Sequence, residues 1–315
     1  MSELTLLHES TVDESEIDSL GHMNVRFYVE RATIANNALI SKLDIADQVG
    51  KGEQLRRVDT YNRFHREQFA GARLKTLGGL IPTESSNGLT GYYEIRNADN
   101  NDLAATFILT SHRIDAESEE LLSLAPPAPD LAESLAISMP DYGRPRSLSL
   151  TPTRIVTWEE LDPIIPRESV IGNFSGRHEG LVLDEDCDTT GRLREETDPM
   201  FVMFRPQPGE AIQEMGPPVT RDAEGRRYSW AMIEIRSVNW HRPGAGDTIV
   251  SMSADLDFGE KWRHSRRWMF AKESKQLLGI SDNASLCMDL DARRAIPIPT
   301  EVREAMEARS LPEFA

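Results

Sequence analysis

From His22 to Ile45 the chain reads HMNVRFYVERATIANNALISKLDI, with no Gly or Pro to interrupt it. Val25, Tyr28, Ala32, Ala35, Leu39 and Leu43 fall at alternating steps of three and four, the spacing of one helix face. Phe27, Val29, Ile34 and Ile40 widen that face, which predicts a well-buried helix over residues 23–43. At ~1.5 Å per residue it spans about 30 Å. The next segments, LRRVDTYNRFHREQF, ARLKTLGGLI, LTGYYEIRN and LAATFILTSHRID, are rich in β-formers and separated by AGA, SSNG and NADNND, which predicts an antiparallel meander. SWAMIEIRSVNWHRP, DTIVSMSADLDF, KWRHSRRWMFAKES and ASLCMDLD predict a second one. Between the halves, residues 123–147 are rich in Pro, Ala and Ser and read as a linker with one short helical turn.

The two halves are variants of one text. HESTVDESEIDSLG (8–21) aligns with HEGLVLDEDCDTTG (178–191), so that His8, Glu9, Val12, Asp18 and Gly21 recur 170 positions on as His178, Glu179, Val182, Asp188 and Gly191. Ala70-Gly71 recurs 175 positions on as Ala245-Gly246, and Asp115-Ala116 recurs 176 positions on as Asp291-Ala292. Matches in one order with slowly drifting offsets indicate duplication of a domain, not a solenoid. The expected domains are 1–122 and 148–315, joined by 123–147. One long helix per half needs apolar cover on several sides, which a curved antiparallel sheet wrapped around it supplies.

Composition narrows the function. The 315 residues are 39% apolar and 28% charged, as in globular chains. The N-terminus lacks the pattern of a signal peptide, and no run of 18 apolar residues occurs, so no membrane span is expected. Two cysteines make no disulfide framework and fit a reducing, cytoplasmic setting. A net charge of −17 opposes nucleic acid and anionic membrane surfaces as partners. His-Glu-x-x-His spacing, a Gly-rich phosphate loop and a Gly-x-Ser-x-Gly elbow are all missing, so neither a metal nor a serine mechanism is expected.

The stretch DSLGHMN (18–24) stands immediately before the predicted helix. Asp, His and Asn there make good caps, and capping alone would account for them. However, a strand ending in Asp-x-x-Gly-His-x-Asn, followed by a long helix with a Tyr in its first turns, resembles the hot-dog-fold acyl-CoA thioesterases of the 4-hydroxybenzoyl-CoA thioesterase type. Asp18, Gly21, His22, Asn24 and Tyr28 carry the resemblance, and DARRAIPIP (291–299) resembles the ending of such units. It implies an α+β fold of two hot-dog units in tandem, each a long central helix wrapped by a curved sheet. It also implies an acyl-CoA thioester as substrate, no cofactor, and Asp18 as general base or nucleophile.

That chemistry suits the residues. A thioester carbonyl needs a carboxylate to activate water or attack directly, and a donor for the developing oxyanion. A helix N-terminus has unpaired N–H groups, so the backbone at Gly21, Met23 and Val25 is the expected oxyanion site. His22 could polarise the carbonyl or orient water, Asn24 could fix the acyl group or water, and Tyr28 reads as core. The second copy, CDTTGRLREETDP, keeps Asp188 and Gly191 but has Arg192 and Arg194 in place of His22 and Asn24. Pro199 follows soon after and delays or breaks its helix. It reads as a degenerate site; the alternative is that the arginines hold a phosphate or carboxylate. His65 and Glu67 share a strand face that could line a pocket beside the helix, or could be an ordinary strand pair. Lys261, Arg263 and Arg267 are the expected contacts for coenzyme A phosphates, against a solvated strand face. A hot-dog hydratase or dehydratase is disfavoured because His22 follows Asp18 by only four residues with no Pro between them. A non-catalytic acyl-CoA sensor would not need Asp18. Self-association of double hot-dog chains into a homo-oligomer stays open.

Overall fold

The computed structural model describes residues 3–82, 88–151, 154–167, 176–202 and 219–315. It has two compact units: Met1–Arg146 with Glu195–Thr197 and Val238–Trp240, and Ser147–Arg194 with Asp198–Ser237 and His241–Ala315.

The first unit runs β1 (Thr5–Thr11), α1 (Val25–Ser41), β2 (Glu53–Phe64), β3 (Arg73–Ile81), β4 (Leu89–Asn97), β5 (Leu103–Asp115), β6 (Leu121–Leu122) and α2 (Pro129–Leu135). Its main strands lie in the order β1-β3-β4-β5-β2, with β6 pairing β5. The apolar stripe of α1 is the buried one: Tyr28, Ala32, Ala35, Leu39 and, just past the helix, Leu43 are at most 3% exposed. Burying Leu39 or Leu43 stabilises by roughly 1.5–3 kcal/mol each. The stripe is narrower than expected, since Ile34 is 41% exposed. The interface between helix and sheet also holds polar groups. Tyr93 Oη donates to Asn36 Oδ1 (2.8 Å), and Asn36 Nδ2 donates to Ser111 Oγ (3.1 Å). Gly78 makes room for this: a Cβ there would lie 2.4 Å from the Tyr93 ring and 2.7 Å from Leu7.

The stretch expected as a linker is packed onto this unit. Leu124, Leu135 and Ile137 are buried, Ile137 N–H donates to Leu80 O (2.9 Å), and Tyr142 Oη donates to the buried Glu94 (2.7 Å). Its few apolar residues are spaced to dock on the sheet even though its composition reads as a tether.

The second unit runs α3 (Trp158–Leu161), β7 (Gly176–Leu181), α4 (Pro199–Val202), β8 (Thr220–Arg221), β9 (Arg227–Asn239), β10 (Thr248–Phe258), β11 (Trp262–Ala271), β12 (Leu277–Asp289), β13 (Arg294–Ala295) and α5 (Thr300–Arg309). Its order, β7-β10-β11-β12-β9, repeats that of the first unit strand for strand. A second long helix is not found among the described residues. α4 has four, and the rest of the expected helix falls on residues 203–218, outside them.

The sheet registers identify equivalent interior positions, and the two interiors differ. Gly78 pairs with Tyr93, which pairs with Phe107; their equivalents are Ser253, Arg267 and Ser281. Leu80, Gly91 and Leu109 become Asp255, Ser265 and Asn283. This polar face explains why β12 begins at Leu277, ahead of the apolar-rich ASLCMDLD: the strand includes LLGISDN, whose polar residues are buried.

Candidate functional site

The turn that precedes α1 is built by its backbone. Asp18 N–H donates to His22 O (3.0 Å), Gly21 N–H donates to Asp18 O (2.9 Å), and Ile17 bridges Met23. Gly21 has φ +83°, the left-handed conformation that glycine adopts without a Cβ penalty. Three ties hold the turn in place. Met23 N–H donates to Gln68 O (2.8 Å), Asn24 N–H donates to Glu16 O (2.9 Å), and the Glu16 carboxylate accepts from Arg31 of α1 (2.7 Å).

Asp18 lies inside this turn, 8% exposed. One oxygen accepts from Leu20 N–H (2.9 Å) and the other from Asn24 Nδ2 (3.3 Å). Asn24 also caps α1, its Oδ1 accepting from Arg26 N–H (3.1 Å). Capping and positioning of the carboxylate are therefore done by one side chain. His22 stands between two carboxylates without a short hydrogen bond to either: Nδ1 is 3.7 Å from Asp18 and Nε2 is 3.6 Å from Glu67. Glu67 is the member that pattern reading ranked low. Strand alternation placed it on a face with His65, but β2 ends at Phe64 and the following bend brings Glu67 to His22. His65 instead lies 3.3 Å from Thr106 Oγ1. Tyr28 is core, as expected: it is 3% exposed, packs edge-on against Phe64 (5.4 Å between centroids), and burial pushes its hydroxyl pKa up.

The backbone corrects two of the expected oxyanion donors. The N–H groups of Gly21 and Met23 are already taken, by Asp18 O and Gln68 O. Val25 N–H, at the first position of α1, has no partner among the described residues.

The second copy repeats this scaffold bond for bond. Asp188 N–H donates to Arg192 O (2.8 Å), Gly191 N–H to Asp188 O (3.0 Å), Leu193 N–H to Pro243 O (2.9 Å) and Arg194 N–H to Asp186 O (2.9 Å). Gly191 has φ +75°. The side chains differ. Arg242, at the place of Glu67, donates from Nη2 to the Asp188 carboxylate and from Nε to Leu193 O. Burial pushes the Asp188 carboxyl up, but hydrogen bonds from Thr190 and Arg242 outweigh it and bring the pKa down to about 2. A carboxylate held this way is a poor base.

The expected phosphate contacts are corrected as well. Arg263 and Arg267 are 4% and 6% exposed, so a surface phosphate does not reach them. Arg263 stacks on the Trp230 ring (4.2 Å) and lies 3.5 Å from Asp255. Burial, with Arg263 nearby, pushes Arg267 down to about 10. Lys261 is half-buried, its carbonyl accepting from Cys287 N–H (2.8 Å). Among the described residues no group of three or more His, Cys, Asp or Glu could hold a metal ion, and no helix is long and apolar enough to cross a membrane.

No protein-family model and no curated protein matches the chain. Solved structures do. One assigned as an oleoyl thioesterase from Lactobacillus plantarum superposes with a TM-score of 0.57 at 10% identity, over 94% of this chain and 99% of that one. An acyl-ACP thioesterase from Bacteroides thetaiotaomicron gives 0.56 at 6% identity, over 88% and 96%. The 12:0-ACP thioesterase from Umbellularia californica gives 0.56 at 9% identity, over 89% and 93%. At such identities the likeness establishes the fold alone: the chain is an α+β protein with the hot-dog fold of these structures.

Proposed function

We propose that the chain is a thioesterase of two hot-dog units in tandem, hydrolysing an acyl thioester of coenzyme A or a carrier protein at the Asp18 turn. The observation that carries this reading is a buried carboxylate fixed by Leu20 N–H and Asn24, directly ahead of a helix whose first N–H is unpartnered among the described residues. The near full-length likeness to thioesterases and the repeated strand order support it.

Asp18 takes a proton from water as its oxygen bonds to the thioester carbonyl carbon. The carbonyl oxygen becomes an oxyanion that accepts from Val25 N–H. The C–S bond then breaks, and the thiolate takes the proton that Asp18 accepted from water, leaving a free acid and a thiol; His22, between Asp18 and Glu67, orients the water. Both Asp18 oxygens are tied by hydrogen bonds, which favours accepting a proton from a small water over direct attack on a bulky acyl group. Glu67 is a positioning residue that holds the far nitrogen of His22.

The test is thiol release from a panel of acyl-CoAs, with enoyl-CoA hydration measured on the same preparation. Thiol release that falls by two or more orders of magnitude in Asp18→Asn, at an unchanged melting temperature, is the expected result. Hydration without thiol release would replace the reading with a hydratase; thioester binding without either would replace it with a sensor.

A further inference from the structure

The second turn carries a charge pattern that the proposed hydrolysis does not use. In the first turn His22 and Asn24 stand beside Asp18, and Glu67 beside His22; the equivalent positions of the second turn are Arg192, Arg194 and Arg242. Two carboxylates, an imidazole and an amide have become one carboxylate and three guanidinium groups. The chain has 52 acidic residues and 35 basic ones, so neutral drift would not be expected to put arginine at all three. The backbone hydrogen bonds of the turn are retained, so the scaffold is kept while the chemistry is inverted.

The three arginines divide the work. Arg242 neutralises Asp188 and ties Leu193 O, which holds the turn closed. Arg192 donates from Nη1 to Arg242 O (2.9 Å), and its Nε and Nη2 have no partner among the described residues. The Arg194 guanidinium has none among them either. Leu193 between them is buried at 1% exposure, so alternation puts Arg192 and Arg194 on the opposite side together, as it does His22 and Asn24 around the buried Met23. Arg192 and Arg194 are both exposed, so both are open to a ligand. Paired guanidinium forks with free donors match the oxygens of a phosphate monoester.

We propose that the second turn is a binding site for the phosphate group of a small molecule, with Arg192 and Arg194 as its ligands and the Asp188–Arg242 pair as its frame. Two sources share this chemistry: the nucleotide phosphates of coenzyme A, and free phosphate. Only the first rests on the proposed thioesterase reading.

Isothermal titration of the full chain at fixed ionic strength tests the site with inorganic phosphate, adenosine 3′,5′-bisphosphate and coenzyme A. Binding at one site that weakens at least tenfold in R192A/R194A, at an unchanged melting temperature, is expected. R192Q/R194Q serves if the alanine variant melts early. Bisphosphate and coenzyme A binding at least tenfold tighter than phosphate identifies the nucleotide as the source; equal affinities identify free phosphate. Equal binding by wild type and variant, or no binding of any probe, overturns the proposal. No thioester is present, so a chain that releases no thiol can still pass this test, and an active thioesterase can still fail it.

Discussion

His22 is the residue on which the proposed chemistry turns, and its geometry makes a specific demand. It lies 3.7 Å from Asp18 and 3.6 Å from Glu67, near both but tightly bonded to neither. If Glu67 acts only by holding His22, its effect must vanish once the imidazole is gone. We expect His22→Ala to lower kcat at least tenfold with KM little changed, and Glu67→Gln to lower kcat several-fold. The double variant should be no slower than His22→Ala alone. Additive losses in kcat would show that Glu67 acts on its own. The Glu67 side chain is 44% exposed, so Glu67→Gln should change stability by no more than about 0.5 kcal/mol.

At the scale of elements, the turn between the first strand and the helix is one device used twice. In the first unit it ends in a capped helix of 17 residues, and the cap Asn24 also holds the acid. In the second the same backbone ends at Arg194, with four helical residues described beyond it, and Arg242 closes the turn from outside. The Asp188 carboxyl is lowered from 3.8 to about 2 in the folded chain. A group depressed on folding stabilises the native state above its unfolded pKa and loses that contribution as pH falls through its folded one. Arg242→Ala should therefore melt below wild type at neutral pH. The gap should be constant down to about pH 4 and close between about pH 4 and pH 2. A gap that persists at pH 2 would mean that Arg242 acts through its backbone contacts and not through Asp188. That outcome is read from thermal melts alone.

Across the whole molecule, two units with one strand order have opposite interiors. Leu109 is fully buried in an apolar sheet face, and its equivalent Asn283 is buried among Ser281, Ser285 and Asp255. Burying an amide in an apolar site without partners costs about 1–3 kcal/mol on mutational scales. Leu109→Asn should thus cost at least that much, with lost packing added. Asn283→Leu loses a hydrogen bond to Ser281 O (3.2 Å) and should cost about 0.5–1.5 kcal/mol. Chemical denaturation compares the two. Equal costs would mean that the polarity of the second interior is not tuned to its neighbours.

Local pattern decided much of this. The step of three and four from Val25 to Leu43 marks α1 because a helix face is a property of neighbours along the chain. LTGYYEIRN and LAATFILTSHRID coincide with β4 and β5 because the sequence runs SSNG, ahead of the first, and NADNND, between the two, are poor in strand formers. The repeated Asp-x-x-Gly located both turns, since the glycine is needed at positive φ in each. Other facts depend on contacts across the chain. That Met23 N–H is occupied follows from where Gln68 O lands, 45 residues away. Glu67 meets His22, and Arg242 meets Asp188, only because the strand that precedes each bends back onto a turn. Arg263 and Arg267 read as a solvated basic cluster, and only the sheet register puts them inside, where Asp255 and the Trp230 ring receive Arg263. A sequence states which charges exist; their depth, and so their chemistry, is set by what the fold brings beside them.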